Sequence, residues 1–510
     1  MLAKINSFGL VGITGYAVDV EVDINYGLPR IDTVGLPDAA IKEAKDRVSS
    51  AIKNSGFMFP VLKITINLAP ADTRKEGVLY DVPIALGILQ AGGENQLEGN
   101  FSEYAFIGEL GLDGSIRKAN GVLPILIAAR KAGVKKFVIP YDNATEASFI
   151  EGLEIYAVKS LGQLVSFLKG TTELAALTQK SFEQIKTETK HSSDFCYVRG
   201  QASARRALEI AAAGGHNILM IGPPGTGKTM LAKCFPTILP DLSFEEALEV
   251  TKIHSVAGVL PTSEGIVSVR PFRSPHHTAS RVALTGGGAH AKPGEISLAH
   301  NGVLFLDEMP EYSRSLLETL RQPLEDGVIT VSRQQATIEY PANFMLIASM
   351  NPCPCGNYGS SAKPCKCSPM QIHKYLNRLS GPLMDRIDLH VEVDNVPYSD
   401  LTSDALEENS ASIKARVDVA RDKQLVRFKD SKVYSNSKMS ARQSNQYCKL
   451  DKDSEDMLEA AFVRLNLSAR AHNRILKVAR TIADLEGSDN IQKHHLAEAI
   501  QYRSLDKKYW

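Results

Sequence analysis

The chain has 510 residues, enough for about three domains with separate cores. With 44% hydrophobic and 23% charged residues it has the composition of a soluble globular protein, and no run approaches the ~20 apolar residues that span a bilayer. Lys plus Arg equals Asp plus Glu at 58 each, which excludes a global field drawing the protein to nucleic acid or membrane; a polyanion partner must be met by a local patch.

The first six residues lack the apolar core of a signal peptide, so a cytoplasmic location is expected. Residues 1–170 alternate between strands and helices. Period-two patterning marks strands at 16–24 and 63–68, amphipathic patterning marks helices at 39–55 and 122–132, and 135–140 closes with a strand. Residues 171–196 are rich in Thr, Lys, Glu and Ser and read as a linker. The span 197–398 holds the nucleotide-binding motifs, and 399–510 is rich in helix formers without a convincing strand.

Gly222, Pro223, Pro224, Gly225, Thr226, Gly227, Lys228 and Thr229 fit the G-x-x-x-x-G-K-[ST] phosphate loop. The apolar run 218–221 precedes them and a helix-like segment follows, which is the context the motif requires. The glycines let backbone N–H groups face phosphate. Lys228 reaches the β/γ-phosphates of ATP, and the Thr229 hydroxyl serves Mg²⁺. Residues 302–308 form a buried-strand pattern ending in two acids. Asp307 suits the Mg²⁺ shell and Glu308 suits a base that polarises the attacking water. A third strand, 344–350, ends at Asn351, which is either a water-orienting residue or a turn residue. Arg386 is a candidate for the transition-state arginine, with Arg378 as the near alternative. Arg470, Arg474 and Lys477 recur at helical spacing. The neighbourhood of the adenine is expected at residues 198–201, Val198, Arg199, Gly200 and Gln201.

Residues 326–340 place two alternating β-branched runs around a polar tip, a hairpin pattern. Arg333 at this tip can meet phosphate, while Gln334 and Gln335 can donate hydrogen bonds to a nucleic-acid backbone without reading bases. Cys353, Cys355, Cys365 and Cys367 form two C-x-C pairs in a loop rich in Gly, Pro and Ser. Four thiolates suit a closed tetrahedral Zn²⁺ site, although C-x₂-C pairs are commoner. His373 is an alternative ligand, and four unliganded thiols are the competing reading. His276 and His277 lack a carboxylate at ligand spacing and read as polar residues rather than metal ligands.

This set of motifs, together with residues 272–280 (FRSPHHTAS) and 292–300 (KPGEISLAH), resembles the magnesium-chelatase-like AAA+ ATPases, specifically the ComM/YifB competence-protein family. The resemblance runs along nearly the whole chain. It implies a fold of α/β class: a P-loop AAA+ core with a parallel sheet and a C-terminal helical lid. It also implies an α+β N-terminal domain that resembles the Lon protease domain and ribosomal protein S5. By that resemblance Arg386 acts in trans as the arginine finger, Arg470 is the lid arginine, and the hairpin points into the pore of a ring, expected to be a hexamer. The implied role is an ATP-driven motor on single-stranded or branched DNA, of helicase or branch-migration type, in transformation or recombination. A protein remodeller and a chelatase-type ATPase remain the alternatives. Aligned on the Lon catalytic dyad, Leu79 takes the serine position and Leu123 the lysine position, so no peptidase activity is expected.

Overall fold

A computed structural model describes residues 2–93, 97, 99–183, 193–261, 263–288, 291–332, 337–359, 363–397, 407–431, 433–465, 467–505 and 509. The chain divides into two compact units, Met1–Glu188 with Ser243–Ser268, and Thr189–Leu242 with Val269–Trp510. Among the described residues no helix is long and apolar enough to cross a membrane.

The first unit is built on a mixed sheet of seven strands among the described residues. Their order is Arg30–Val34, Lys63–Ala69, Thr14–Asn25, Leu2–Val11, Tyr104–Phe106, Lys136–Pro140 and Glu154–Val158. Alternation drives the long strands: Val18, Val20, Val22 and Ile24 are buried on one face, as the period-two pattern requires. The helix Ala39–Asn54 begins at Asp38, whose carboxylate accepts from Ile41 N and Gly77 N, both at 2.9 Å. Helix Val122–Lys131 packs against Phe244–Ala257, a helix that enters this unit from between the phosphate loop and the edge strand of the second unit. That helix starts with a capping box between Ser243 and Glu246, and its Ser255 donates to Glu146 at 2.8 Å. Leu79 and Leu123 are both buried in one apolar cluster with Phe8 and Ile125.

The second unit contains a five-stranded sheet among the described residues, paired throughout in parallel. Its order is Phe272–Arg273, Val303–Leu306, Met345–Met350, Ile218–Ile221, Leu389–Glu392. The central strands are buried on both faces, which explains why they read as unbroken apolar runs rather than alternating ones. The first strand in sequence lies between later ones, so the chain order reverses beside it, and ligands bind at such switch points outside the carboxyl ends of strands. C-terminal helices, including Ser410–Arg427 and Ala469–Leu485, pack on the alanine-rich helix Ala202–Gly214. The α/β architecture with parallel sheet and helical C-terminal region is therefore the expected one.

One buried ion pair anchors the first unit. Asp81, 1% exposed, accepts from Arg47 Nε at 2.9 Å and Nη2 at 3.1 Å, and from Leu110 N at 3.2 Å. Burial pushes its carboxyl up to about 6 despite the guanidinium. Arg47→Ala strands this carboxylate and is expected to cost about 3–5 kcal/mol at pH 8. The raised pKa sets the sign: at pH 5 Asp81 is protonated and the loss shrinks. Urea unfolding of the variant at the two pH values checks this.

Candidate functional site

The phosphate loop leaves the central strand Ile218–Ile221 and enters the helix Lys228–Cys234. Gly225 and Gly227 sit at φ +81° and +88°, a region that strains residues with a Cβ, and a Cβ on either would meet nothing within 4 Å. The loop thus presents an open backbone surface, and its helix has no side-chain cap. Lys228 is buried, and its ammonium donates to the carbonyls of Gly222 and Pro223, both at 2.7 Å, and to Asn351 Oδ1 at 3.4 Å. Burial lowers its pKa to about 8, against the pull of Asp307 and Glu308.

Thr229 Oγ1 donates to Asp307 Oδ2 at 2.8 Å, so the two expected Mg²⁺ ligands stand side by side. The other carboxylate oxygen of Asp307 accepts from the hydroxyl of Ser349. Glu308 holds a left-handed backbone at φ 50°, a conformation that costs about 1–3 kcal/mol for a residue with a side chain. Its N–H donates to both Asp307 Oδ1 and Ser349 Oγ at 3.1 Å, which holds the turn and leaves the Glu308 side chain exposed. The Asp307–Thr229 pair, the Lys228 ammonium and the open loop fit a Mg²⁺–nucleoside triphosphate.

Ser349 is a site residue the sequence reading passed over. The sequence shows only a hydroxyl within the apolar run 344–350; the register, one step beyond the Leu306–Ala348 pair, sets the fully buried Ser349 level with Asp307. Asn217 was passed over too. Its amide accepts from Leu346 N and donates to the Arg386 carbonyl, both at 2.9 Å. Gln201, in the expected adenine neighbourhood, lies beside the loop and donates to the carbonyl of Thr226 at 3.2 Å.

Arg386 and Arg470 are brought together elsewhere. Arg386 is buried, pairs with Glu325 and donates to the Pro382 carbonyl at 2.6 Å, and its Nε has no partner among the described residues. Arg386, and beyond it Arg470 and Arg321, hold the Glu325 carboxyl below its usual range. Among the described residues no contact joins Arg386 or Arg470 to Lys228, Asp307 or Glu308. Arg378 binds the Pro310 carbonyl at 2.9 Å and Glu311 at 3.0 Å. Of the helical basic face, only Arg470 is exposed: Arg474 pairs with buried Asp388, and Lys477 donates to the carbonyls of Ser437 and Met439.

The hairpin strands Val328–Ser332 and Thr337–Pro341 pair antiparallel, while Arg333, Gln334 and Gln335 lie outside the described residues. The ligand atoms of Cys353, Cys355, Cys365 and Cys367 all lie within 4.8 Å of one another, with sulfur separations of 3.4, 3.6 and 3.7 Å among the first three. Zinc–thiolate bonds of about 2.3 Å set tetrahedral sulfur separations near 3.8 Å, so the quartet has the size of a Zn²⁺ site. N–H groups of Lys366 and Asn357 lower the Cys355 thiol to about 6, whereas burial and the neighbouring sulfurs push the Cys365 and Cys367 thiols up, so the geometry rather than the thiol acidity carries the metal assignment. His373 turns its ring to Asn377 instead. The His276 and His277 rings lie tilted with centroids 4.1 Å apart, His277 edge-on to Tyr312, and among the described residues neither joins a group of three metal-ligating side chains.

A second group, Glu486 with His494 and His495, is a hydrogen-bonded staple. His495 Nδ1 accepts from Gln492 N, which leaves Nε2 protonated toward Glu486 and unable to bind a metal.

Residues 194–401 match the family model for magnesium chelatase, subunit ChlI; 20–143 match that for subunit ChlI of Mg-chelatase; and 407–503 match that for the ChlI C-terminal region. Protein YifB of Escherichia coli is 45% identical over 507 residues, covering 99% of this chain and 98% of its own length. Competence protein ComM of Haemophilus influenzae is 44% identical over 507 residues, with the same coverage of 99% and 98%. The chloroplastic magnesium-chelatase subunit ChlI of Glycine max is 23% identical over 394 residues, 69% of this chain and 83% of its own.

Two outcomes are expected. Phosphate raises the pKa of Lys228, so ATP binding takes up a proton at pH 8.5, where the free ammonium is largely deprotonated, and very little near pH 7. Calorimetry in buffers of different ionisation enthalpy reads the uptake. Ser349→Ala frees Asp307 and is expected to lower ATP turnover about tenfold and raise the Mg²⁺ requirement, read from rates across a Mg²⁺ series.

Proposed function

Because the chain belongs to the magnesium-chelatase-like AAA+ family that includes ComM and YifB, we propose that this ATPase is a ring-forming motor acting on DNA. The observation that carries the reading is the extent of the likeness: competence protein ComM matches 99% of the chain, whereas the plant chelatase subunit matches 69% at about half the identity. The first unit and the nucleotide-binding unit are thus shared with a competence protein as one whole.

Bound Mg²⁺ would supply charge neutralisation for the triphosphate. Thr229 and Asp307 would hold it, with Ser349 fixing the carboxylate. Lys228 would exchange its two carbonyl partners for phosphate oxygens. Glu308 would take the proton of the attacking water, and Asn351 would orient that water. Arg386 and Arg470 gather around Glu325 away from their own chain's loop, which favours their serving the site of a neighbouring subunit in a ring, with six subunits as the expected number. A guanidinium arriving there is worth about 10³–10⁵ in rate. Arg333, Gln334 and Gln335 on the hairpin would track the strand backbone, and a ring multiplies their charge despite a neutral chain. The cysteine quartet would hold a structural Zn²⁺. A cytoplasmic setting accords with this work, and peptidase activity is not part of it.

The decisive measurement is the ATPase rate of the full chain with single-stranded, duplex and forked DNA over a salt series. DNA is expected to stimulate turnover, less so as salt rises. Glu308→Gln is expected to bind ATP yet lose hydrolysis and strand separation. Indifference to DNA at every ionic strength would refute the motor reading; a response to a tagged protein instead would favour a remodeller.

A further inference from the structure

The cysteine loop leaves the nucleotide site and returns to it. It begins at Asn351, which meets Lys228, two residues before the fully buried Cys353. It ends in the helix Pro369–Leu376, started by a capping box between Ser368 and Gln371. On that helix the buried Tyr375 hydroxyl lies beside the Asn351 backbone, with Glu308 and Glu311 close enough to act on it. Immediately beyond, Arg378 clamps the turn that follows Glu308 through Pro310 and Glu311. Midway, Gly356 at φ +79° presses its backbone onto the phosphate loop: a Cβ there would stand 2.5 Å from Pro224 Cδ.

The loop therefore touches the nucleotide machinery at its start, its middle and its end. A segment rich in Gly, Pro and Ser pays heavily in conformational entropy to hold such positions and buries little in return. A four-sulfur cross-link removes that freedom from the chain, and three of the sulfurs already stand 3.4, 3.6 and 3.7 Å apart with the fourth within 4.8 Å of each.

We propose that Zn²⁺ bound by Cys353, Cys355, Cys365 and Cys367 is a positioning element of the ATPase site, holding Asn351 against Lys228 and Gly356 against Pro224, so that metal occupancy sets the rate of hydrolysis. The inference rests on the zinc assignment made above and adds what the metal does. Asn351 is two residues from a ligand, so slack in the knot reaches it directly. A displacement of about 1 Å at such a group can cost up to 10²-fold in rate. Lys228 and the glycine loop are held by their own strand and helix, so nucleotide affinity depends far less on the metal.

The test uses the full chain purified without chelator. Elemental analysis is expected to give about one zinc per chain. Extraction of the metal is expected to lower kcat at least about tenfold while the Kd of a fluorescent ATP analogue moves less than about threefold, with turnover restored by added Zn²⁺. Gly356→Ala keeps all four sulfurs and the zinc but forces the cysteine loop and Pro224 apart, and is expected to lower kcat about tenfold while the Kd of the ATP analogue moves less than about threefold, as metal extraction does. Zinc well below one per chain overturns the metal assignment itself. Zinc at full occupancy whose removal leaves kcat within about twofold overturns the positioning role alone. Should the extracted protein unfold, Gly356→Ala settles the matter: unchanged kinetics at unchanged zinc content would refute the coupling.

Discussion

The parallel ladder that joins Ile218–Ile221 to Met345–Met350, and Met345–Met350 to Val303–Leu306, is the constraint on which the rest of the site depends. Parallel pairing brings the carboxyl ends of all three strands to one edge, so their exit residues Gly222, Asn351 and Asp307 become neighbours although far apart in sequence. A slip of one residue would turn every side chain to the opposite face. With Leu306 opposite Ala348, Asp307 falls level with Ser349, and the hydroxyl that fixes the carboxylate comes from the adjacent strand. Asn217 sets the other end of this ladder through Leu346 and ties it to the backbone of Arg386.

A buried polar network links the sheet to the C-terminal helices. Asp388 alone would be driven upward by burial, but Arg474 and His216 hold its carboxyl well below the usual range. His216 reaches Thr481 at 2.9 Å, and Asn436 joins Thr481 to Asp484, which Arg427 and Arg480 neutralise. Removing one partner of such a buried pair costs about 3–5 kcal/mol. The network fixes the rotation of the helix Ala469–Leu485, and that rotation turns Arg474 inward and leaves Arg470 outside near Glu325.

Much of this was legible in the sequence. The phosphate loop, the acid pair and Asn351 each follow an apolar run that can only be a buried strand, so their place at strand ends could be read directly. The helices Ala39–Asn54 and Val122–Lys131 and the strands Thr14–Asn25 and Lys63–Ala69 follow from periodicity to within a residue or two. Less legible was the helix Phe244–Ala257: its capping box marks where it starts, but nothing in its pattern says that it packs on the first unit. Arg470, Arg474 and Lys477 are equivalent by spacing, and only their partners separate them.

Local chemistry made the sequence sufficient for the loop conformation, for the residue types that grip phosphate and magnesium, and for the cysteine quartet, because each depends on neighbours within a few positions. Tertiary structure alone decided the support of those groups: Ser349 behind Asp307, Asn217 beneath Arg386, Gly356 against Pro224, and Arg474 committed to Asp388. These contacts join residues distant in the chain, and their energies depend on burial and register, quantities that exist only once the sheet has formed.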